Sequence, residues 1–246
     1  MPNAIEIKSV SKTYKQKKIE TKALTNISLN IPRGSFFGLI GQNGAGKTTL
    51  IKLIIGLSKQ DSGAIKVAGC DTLSQYYLTR KMIGVSTQEY SFDPYLTVKE
   101  ELELTGGYFA VPRIIAKERT AKLLAVLGLA DKSNTFTDKL SGGMKRRLSI
   151  AKALIHEPEI LILDEPTSGL DIQLRHELWE ILKQLNKEGK TILLTTHYLE
   201  ETEHLCDKIA IISKGEIKHI EDNQKKHIRK DSHIEKLFME IAENAD

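Results

Sequence analysis

The sequence predicts an α/β fold whose core is a largely parallel β-sheet covered by helices. Three observations favour this fold. Strand-like and helix-like segments alternate over residues 160–219, a glycine-rich loop joins a strand to a helix at residues 41–48, and residues 98–155 have helical periodicity. Strands that alternate with helices usually pair in parallel, because each connection crosses the sheet. We therefore expect a parallel core with a helical subdomain inserted into it.

The first part of the chain predicts an antiparallel β region followed by the start of the core. Short apolar segments bounded by turn residues are typical of strands. The predicted strands are Ala4–Val10, Ile27–Ile31, Phe36–Ile40, Ile65–Val67 and Met82–Ser86, and the predicted helix is Lys47–Ile55. Gly63 and Gly69 mark turns on either side of the fourth strand.

The middle of the chain predicts the helical subdomain, over about residues 96–156, and the remainder predicts the rest of the core. Apolar residues three and four apart indicate helices at Val98–Leu104, Ala116–Leu127 and Met144–Ile155. The core then continues through strand Ile160–Leu163, helix Arg175–Asn186, strand Thr191–Thr195, helix Leu199–Leu205 and strands Ile209–Ser213 and Glu216–His219.

We expect one main domain over residues 1–220 and a short polar tail over residues 221–246. Ser232 and Glu235 have the spacing of a capping box, which predicts that the tail ends in an amphipathic helix docked on its own domain. The tail also carries a basic cluster at Lys225, Lys226, Arg229 and Lys230. We interpret this cluster as a solvated surface, and a nucleic-acid or lipid patch is the alternative.

Composition limits the class of protein. The 246 residues are 40% hydrophobic and 28% charged, with a formal net charge of +4, which is typical of a soluble globular protein. Cys70 and Cys206 have no metal-binding spacing, which favours a reducing compartment over a zinc site. Residues 1–6 lack signal-peptide character, and no apolar run approaches the roughly 18–20 residues that span a bilayer. Any membrane span would therefore come from another chain.

The segment Gly41-Gln42-Asn43-Gly44-Ala45-Gly46-Lys47-Thr48 has the spacing of a phosphate-binding loop. Its glycines let backbone N–H groups approach phosphate oxygens without a Cβ clash. Lys47 is placed to reach the β- and γ-phosphates, and the Thr48 hydroxyl to hold Mg²⁺. The helix that follows adds its positive N-terminal end. ATP and Mg²⁺ are the expected ligands.

A second candidate site follows the apolar strand Ile160–Leu163. Asp164 lies at its carboxyl end, where open α/β sheets bind ligands, and can bind Mg²⁺ through water. Glu165 comes next and is expected on the opposite side of the pleat. We expect Glu165 to polarise the attacking water.

These segments, in this order, resemble the nucleotide-binding domain of ABC (ATP-binding cassette) ATPases over nearly all of residues 4–220. The resemblance implies a RecA-like P-loop core, an N-terminal antiparallel β region and an inserted α-helical subdomain. Leu140-Ser141-Gly142-Gly143-Met144 is similar to the family's signature motif, and Ser141, Gly142 and Gly143 at a helix start form an anion site. In that family the site contacts the ATP bound by the other protomer.

The same resemblance assigns roles to further residues. It implies that Gln88 senses Mg²⁺ and the attacking water, that His197 contacts the γ-phosphate, and that Tyr14 stacks on adenine. Ser168 and Asp171 match the D-loop that crosses the dimer interface. The implied ATP-binding set is Tyr14, Gly41, Gln42, Asn43, Gly44, Ala45, Gly46, Lys47, Thr48 and Thr49; the implied metal set is Thr48, Gln88 and Asp164, the last through water.

The resemblance also implies partners. Residues 142–148 and 195–201 are similar to ATPase subunits of ABC-2-type exporters, which act at the cytoplasmic face of a membrane. We expect an ATP-dependent dimer of this chain, a separate multi-span membrane subunit, and no nucleic-acid partner. Two alternatives stay open: a soluble ABC ATPase acting on a ribosome, nucleic acid or protein complex, and a nucleotide-gated switch that does not hydrolyse ATP.

The aromatic segment after Gln88 has two interpretations. In the family, a groove beside this segment receives a helix of the membrane subunit, so Tyr90, Phe92 and Tyr95 could form part of a docking surface. Alternatively, these rings pack on the helical subdomain.

Overall fold

A computed structural model describes residues 2–16, 19–222, 238 and 240. The predicted capping box, the basic cluster and nearly all of the predicted tail helix lie outside the described residues. The chain forms two compact units: residues 1–80 with 191–246, and residues 81–190. Across the described ranges, no helix has the length and apolar character needed to cross a bilayer.

The secondary structure begins with β1 (Asn3–Gln16), β2 (Ile19–Pro32), β3 (Phe36–Ile40), α1 (Lys47–Ile54), β4 (Ser62–Val67), β5 (Cys70–Asp71), α2 (Tyr76–Met82) and β6 (Ile83–Ser86). It continues with α3 (Val98–Tyr108), α4 (Arg113–Val126), α5 (Gly142–Leu154), β7 (Ile160–Asp164), α6 (Ile172–Lys187), β8 (Thr191–Thr196), α7 (Leu199–Leu205), β9 (Lys208–Ser213) and β10 (Glu216–Asp222). Two short 3₁₀ segments, Ala130–Lys132 and Thr137–Lys139, lead from α4 to α5.

The first unit contains an antiparallel sheet of four strands in the order β2-β1-β4-β5. Ile5 pairs with Ile31 and Ile7 with Leu29, and all four side chains are buried. Gly63, at the start of β4, has φ +83°, and a Cβ there would lie 2.4 Å from the carbonyl oxygens of Lys8 and Ser9. Only glycine allows β4 to approach β1 this closely.

The same unit contains parallel strands that lead to the phosphate loop. β3 pairs in parallel with β8 and β9, and β9 pairs antiparallel with β10. All five residues of β3 are buried. A Cβ at Gly38 would lie 2.8 Å from Cys206 Sγ and 3.1 Å from Thr202 Cγ2. The missing side chain at Gly38 therefore lets the end of α7 pack directly on β3.

The second unit combines helices α3 to α6 with the parallel pair β6 and β7. Every residue of β7 is buried, as expected for a strand that is covered on both faces. A Cβ at Gly84 in β6 would lie 2.0 Å from the Ala153 carbonyl oxygen, so glycine permits the close approach of α5 to this strand. Helix α3 begins at a capping box in which Thr97 and Glu100 bond each other's backbone N–H groups.

Each strand and helix named from the sequence over residues 4–219 has a counterpart in the structure, most within a few residues of the predicted bounds. β1 and β2 extend well beyond the predicted apolar segments, through polar residues such as Lys12, Lys15 and Glu20. α2 and β5 were missed, because both are short and mostly lack buried apolar residues. The proposed boundaries of the main domain and of the helical subdomain stay predictions.

Candidate functional site

The phosphate loop lies between the carboxyl end of β3 and the start of α1, and backbone hydrogen bonds fix its two ends. The Gly41 N–H donates to the Thr196 carbonyl oxygen at 3.4 Å, and the Gly215 N–H donates to the Ala45 carbonyl oxygen at 3.0 Å. The first bond joins the loop to the end of β8. It also places His197, the residue after Thr196, next to the start of the loop.

The glycines of this loop serve two different purposes. A Cβ at Gly41 would lie 2.5 Å from the Ile212 carbonyl oxygen, and one at Gly46 would lie 2.8 Å from the Ala23 carbonyl oxygen. These two positions permit close packing beneath the loop. Gly44 instead has φ +82°, and a Cβ there would meet no atom within 4 Å. The exposed face of the loop is therefore accessible to a ligand that contacts backbone, which fits a phosphate group.

Lys47 holds a positive charge over this loop. The side chain is 6% exposed, and its Nζ donates to the Gly41 carbonyl oxygen at 2.6 Å and to the Gln42 carbonyl oxygen at 3.2 Å. Gln42, Asn43, Gly44 and Thr48 are exposed, Gly46 and Thr49 are half-buried, and Ala45 is buried. The sequence therefore folds into a buried cation surrounded by an open rim of backbone and hydroxyl groups, which suits a phosphate and a hard cation.

Tyr14 and the residues that hold its strand belong to the same unit as the phosphate loop. Tyr14 is 40% exposed on β1, with Lys12 Nζ 5.5 Å from its ring centroid. Asp61 accepts from the Thr13 N–H at 2.6 Å and from Lys12 Nζ at 3.0 Å. The Thr13 N–H and then Lys12 lower the pKa of Asp61, so this carboxylate stays charged while it holds the residues before Tyr14. No local sequence pattern marks Asp61, so its contact with the residues before Tyr14 could not be predicted.

Asp164 is the last residue of β7 in the second unit and Glu165 follows it; the two residues are 5% and 7% exposed. β7 ends at Asp164, and Glu165 has φ +49°. The pleat alternation predicted for Glu165 therefore does not apply, because a left-handed turn rather than the strand sets its direction. A non-glycine residue in this conformation costs about 1–3 kcal/mol and is typical of functional sites.

The Ser141 segment forms the start of α5. The Ser141 hydroxyl accepts from the Met144 N–H at 3.3 Å, and Ser141 and Gly142 are exposed. Gly143 is buried, and a Cβ there would lie 2.9 Å from Leu174 Cδ1 of α6. Asp171 caps α6 by accepting from the Leu174 N–H at 2.8 Å, and Ser168 donates its N–H to the Glu165 carbonyl oxygen at 3.2 Å. The signature and D-loop residues therefore share one packed region of this unit.

Gln88 is exposed two residues after the end of β6, and the aromatic residues after it have different environments. Tyr90 and Phe92 are half-buried and contact α5, which supports the packing interpretation for these two rings. Tyr95 is 84% exposed.

The candidate site residues are divided between the two units. The first unit contains the phosphate loop, Tyr14 and His197. The second unit contains Gln88, Ser141–Gly143, Asp164, Glu165, Ser168 and Asp171.

Comparison with known proteins identifies the family. The model of the family described as "ABC transporter" matches residues 24–168, more than half of the chain. The chain belongs to the ABC transporter family. The resemblance stated from the motifs is thereby confirmed, and the chain is an ABC ATPase cassette that binds adenine nucleotide.

Relatives and solved structures agree with this assignment. The Nod factor export ATP-binding protein I of Burkholderia orbicola (strain AU 1054) is 42% identical over 211 residues, which are 86% of this chain and 68% of that protein. The protein of the same name from Rhizobium johnstonii (strain DSM 114642 / LMG 32736 / 3841) is 44% identical over 214 residues, or 87% of this chain and 68% of its own length. For the corresponding protein of Ralstonia nicotianae (strain ATCC BAA-1114 / GMI1000), the matched part is 61% of its length.

A bacterial ABC transporter cassette with a dimeric structure has a TM-score of 0.82 at 30% identity, covering 89% of this chain and 98% of that one. The same cassette is known in a post-hydrolysis state bound to ADP and Pi, also at a TM-score of 0.82. An ATP-binding subunit of an ABC transporter has a TM-score of 0.84 at 30% identity, covering 97% of this chain and 99% of that one. The predicted ABC ATPase fold and ATPase activity are confirmed.

Proposed function

We propose that this chain hydrolyses ATP as a dimer formed around two ATP molecules and powers a membrane exporter of the ABC-2 type. The observation that carries the dimer is the exposed Ser141-Gly142 turn at the start of the 13-residue helix α5. Such a helix start is an anion site. Export is supported by relatives whose names describe export ATP-binding proteins.

The nucleotide would be held by residues that fit its parts. Tyr14 stacks on adenine, since an exposed aromatic face suits a base. Residues Gly41 to Thr49 surround the phosphates, with Lys47 as their fixed positive charge. The Thr48 hydroxyl, Gln88 and, through water, Asp164 would hold Mg²⁺. Mg²⁺, when bound, neutralises charge on the β- and γ-phosphates.

Hydrolysis would depend on Glu165, His197 and Gln88. Glu165 accepts a hydrogen bond from the attacking water and orients it, His197 donates to the γ-phosphate, and Gln88 senses Mg²⁺ and the water. Each role concerns positioning and charge stabilisation, which dominate phosphoryl transfer. Ser141, Gly142 and Gly143 then bind the ATP of the second copy, and Ser168 and Asp171 line the contact between copies.

The remaining parts of the proposal concern location and the membrane partner. We place the protein at the cytoplasmic face of a membrane, bound peripherally to a separate multi-span subunit that carries cargo selectivity. The alternative is a soluble ATPase acting on a ribosome, nucleic acid or protein complex.

Glu165→Gln should keep ATP binding and lose steady-state turnover by about a hundredfold or more, because a neutral amide polarises the attacking water far less than a carboxylate does. ATP affinity is measured by equilibrium binding and turnover by phosphate release. Turnover within threefold of the native rate would show that another group activates the water.

The trapped Glu165→Gln protein also tests the partner. Tagged protein is recovered from detergent-solubilised native membranes with Mg-ATP, and the bound proteins are identified by mass spectrometry. A stoichiometric multi-span protein is expected, and it should be lost when Lys47→Ala is the bait. Recovery of ribosomal or other soluble proteins alone would replace the exporter with the soluble alternative.

A further inference from the structure

One face of α5 holds the Gln88 segment, defined here as residues 87–93. Arg146, Ser149 and Lys152 are spaced three residues apart, so they lie on one side of the helix. Ser149 Oγ lies 2.8 Å from Ser86 Oγ at the end of β6, and both serines are buried. This central contact fixes the strand from which the Gln88 segment leaves.

Arg146 makes the contact nearest the signature turn. It is 2% exposed, and its Nη1 donates to the Thr87 carbonyl oxygen at 3.0 Å. Its guanidinium carbon lies 4.9 Å from the centroid of Tyr90. One side chain therefore bonds the residue before Gln88 and lies over the ring two residues after it.

Lys152 makes the second contact, in the last turn of α5. Its Nζ donates to the Ser91 carbonyl oxygen at 3.0 Å and lies 5.5 Å from the centroid of Phe92. Lys152 also forms an ion pair with the buried Glu101 of α3, which in turn accepts from the Asp93 N–H at 3.3 Å. The far end of the segment is thus bound to α5 and α3 together.

The two contacts are joined through the aromatic rings. Tyr90 and Phe92 stack with centroids 5.9 Å apart and an interplanar angle of 12°. Each ring therefore has a cation near it and the other ring beside it. Arg146 is buried and Lys152 is half-buried. A buried cation is costly unless its partners are fixed, so this arrangement favours one conformation of the segment.

We propose that Arg146 and Lys152 are positioning residues that fix the Gln88 segment to the signature helix. Gln88 and the Ser141 turn then move as one body, although neither contacts the other directly through these bonds. This inference rests on the role of Gln88 in the proposed function. It assigns a part in turnover to two cations that would not touch nucleotide.

Hydrogen exchange tests the contact itself and needs no ATPase activity. Arg146→Met keeps the length of the side chain and removes its charge, and Tyr90→Leu removes the ring from the other side. Both should speed amide exchange in residues 87–93 on the order of tenfold, with exchange in the phosphate loop unchanged. Tyr90→Phe retains the ring and should match the native protein. Lys122→Met, at an exposed position of α4, is the control for replacing a cation with methionine and should match the native protein.

Steady-state kinetics tests positioning. In Tyr90→Leu, kcat should fall on the order of tenfold while the KM for ATP stays within twofold, because Tyr14, the phosphate loop and Lys47, which hold most of the nucleotide, are unchanged. Arg146→Lys should have a higher kcat than Arg146→Met, because it retains the positive charge. The effects of Arg146→Met and Tyr90→Leu should be less than additive when combined, since both break one contact.

The outcomes separate this inference from the proposed function. Native exchange rates in both Arg146→Met and Tyr90→Leu would overturn the contact, and faster exchange with native kcat would overturn its positioning role. If Arg146→Met does not fold, the half-buried Tyr90 position decides both points. Absence of ATPase activity in the native protein would refute the proposed function and the positioning role, while exchange would still decide the contact.

Discussion

Lys47 is held in place by the phosphate loop itself. Its ammonium group is bound by the Gly41 and Gln42 carbonyl oxygens and is almost completely buried. A fixed cation loses little conformational entropy on binding, whereas a solvated lysine would have to be ordered. At the same scale, Glu165 is held in a left-handed conformation by its turn rather than by the pleat expected from sequence.

Lys47→Ala should weaken ATP affinity at least tenfold, because it removes the fixed charge from the phosphate loop. Equilibrium binding of ATP with Mg²⁺ measures the effect. Lys52→Ala, on the exposed side of α1, is the matched control and should bind ATP as the native protein does. Equal affinity of both variants would argue against the phosphate-loop assignment.

At the scale of helices and strands, the features that could be predicted from sequence are those determined by residues close together in the chain. Strands with buried runs and helices with clear periodicity were predicted, since local pattern determines them. The polar half of β1 was not, because its pairing with β2 depends on partners elsewhere in the chain. The motif residues follow from local patterns as well, and their roles stay predictions, whereas Asp61 and Arg146 contact residues 48 and 59 positions away. Only the fold brings such residues into contact.

His156 joins several elements of the second unit. Its ring stacks on Phe109 at 3.7 Å between centroids, and its Nε2 lies 3.1 Å from the Ile83 carbonyl oxygen. Burial, opposed by the Ile83 carbonyl and aided by Lys190 and Arg119, lowers the pKa of His156. The folded protein therefore resists protonation of this ring, whereas the unfolded chain accepts a proton near its usual pKa of about 6.5.

Stability should therefore fall as pH drops below about 6.5 and be constant with respect to this group above it. His156→Gln retains an N–H donor but does not titrate. Unfolding of this variant should therefore bind up to about one proton fewer than unfolding of the native protein. Urea denaturation from pH 7.5 to 5.5 measures the difference in slope between the two proteins. Parallel slopes would contradict the assignment of this pH dependence to His156.

At the scale of the whole molecule, the two units carry different parts of the proposed ATPase. The phosphate loop, Tyr14 and His197 belong to residues 1–80 and 191–246; the water-activating, D-loop and signature residues belong to residues 81–190. A single copy of the signature turn would serve the nucleotide of its partner. ATP hydrolysis should consequently depend on protein concentration, as association precedes turnover.

Ser141→Asp should abolish ATP-dependent dimerisation of the Glu165→Gln protein. Aspartate caps a helix as well as serine does, so α5 stays intact, but its charge repels the phosphate expected from the second copy. Ser141→Asn, which is isosteric with Ser141→Asp but neutral, is the control and should dimerise more strongly than Ser141→Asp. Light scattering with and without Mg-ATP reports the mass, and a dimer of unchanged affinity in Ser141→Asp would place the phosphate contact elsewhere.

The close packing of α7 on Gly38 has a practical consequence for measuring such association. It buries the Cys206 thiol, and burial, followed by the nearby Glu201 and Asp207 charges, raises its pKa well above the usual value, so this thiolate scarcely forms. Cys70, the other cysteine of the sequence, is partly accessible on β5. A maleimide dye or nitroxide should therefore attach at Cys70 in the native protein, giving a spectroscopic probe of association without any engineered cysteine.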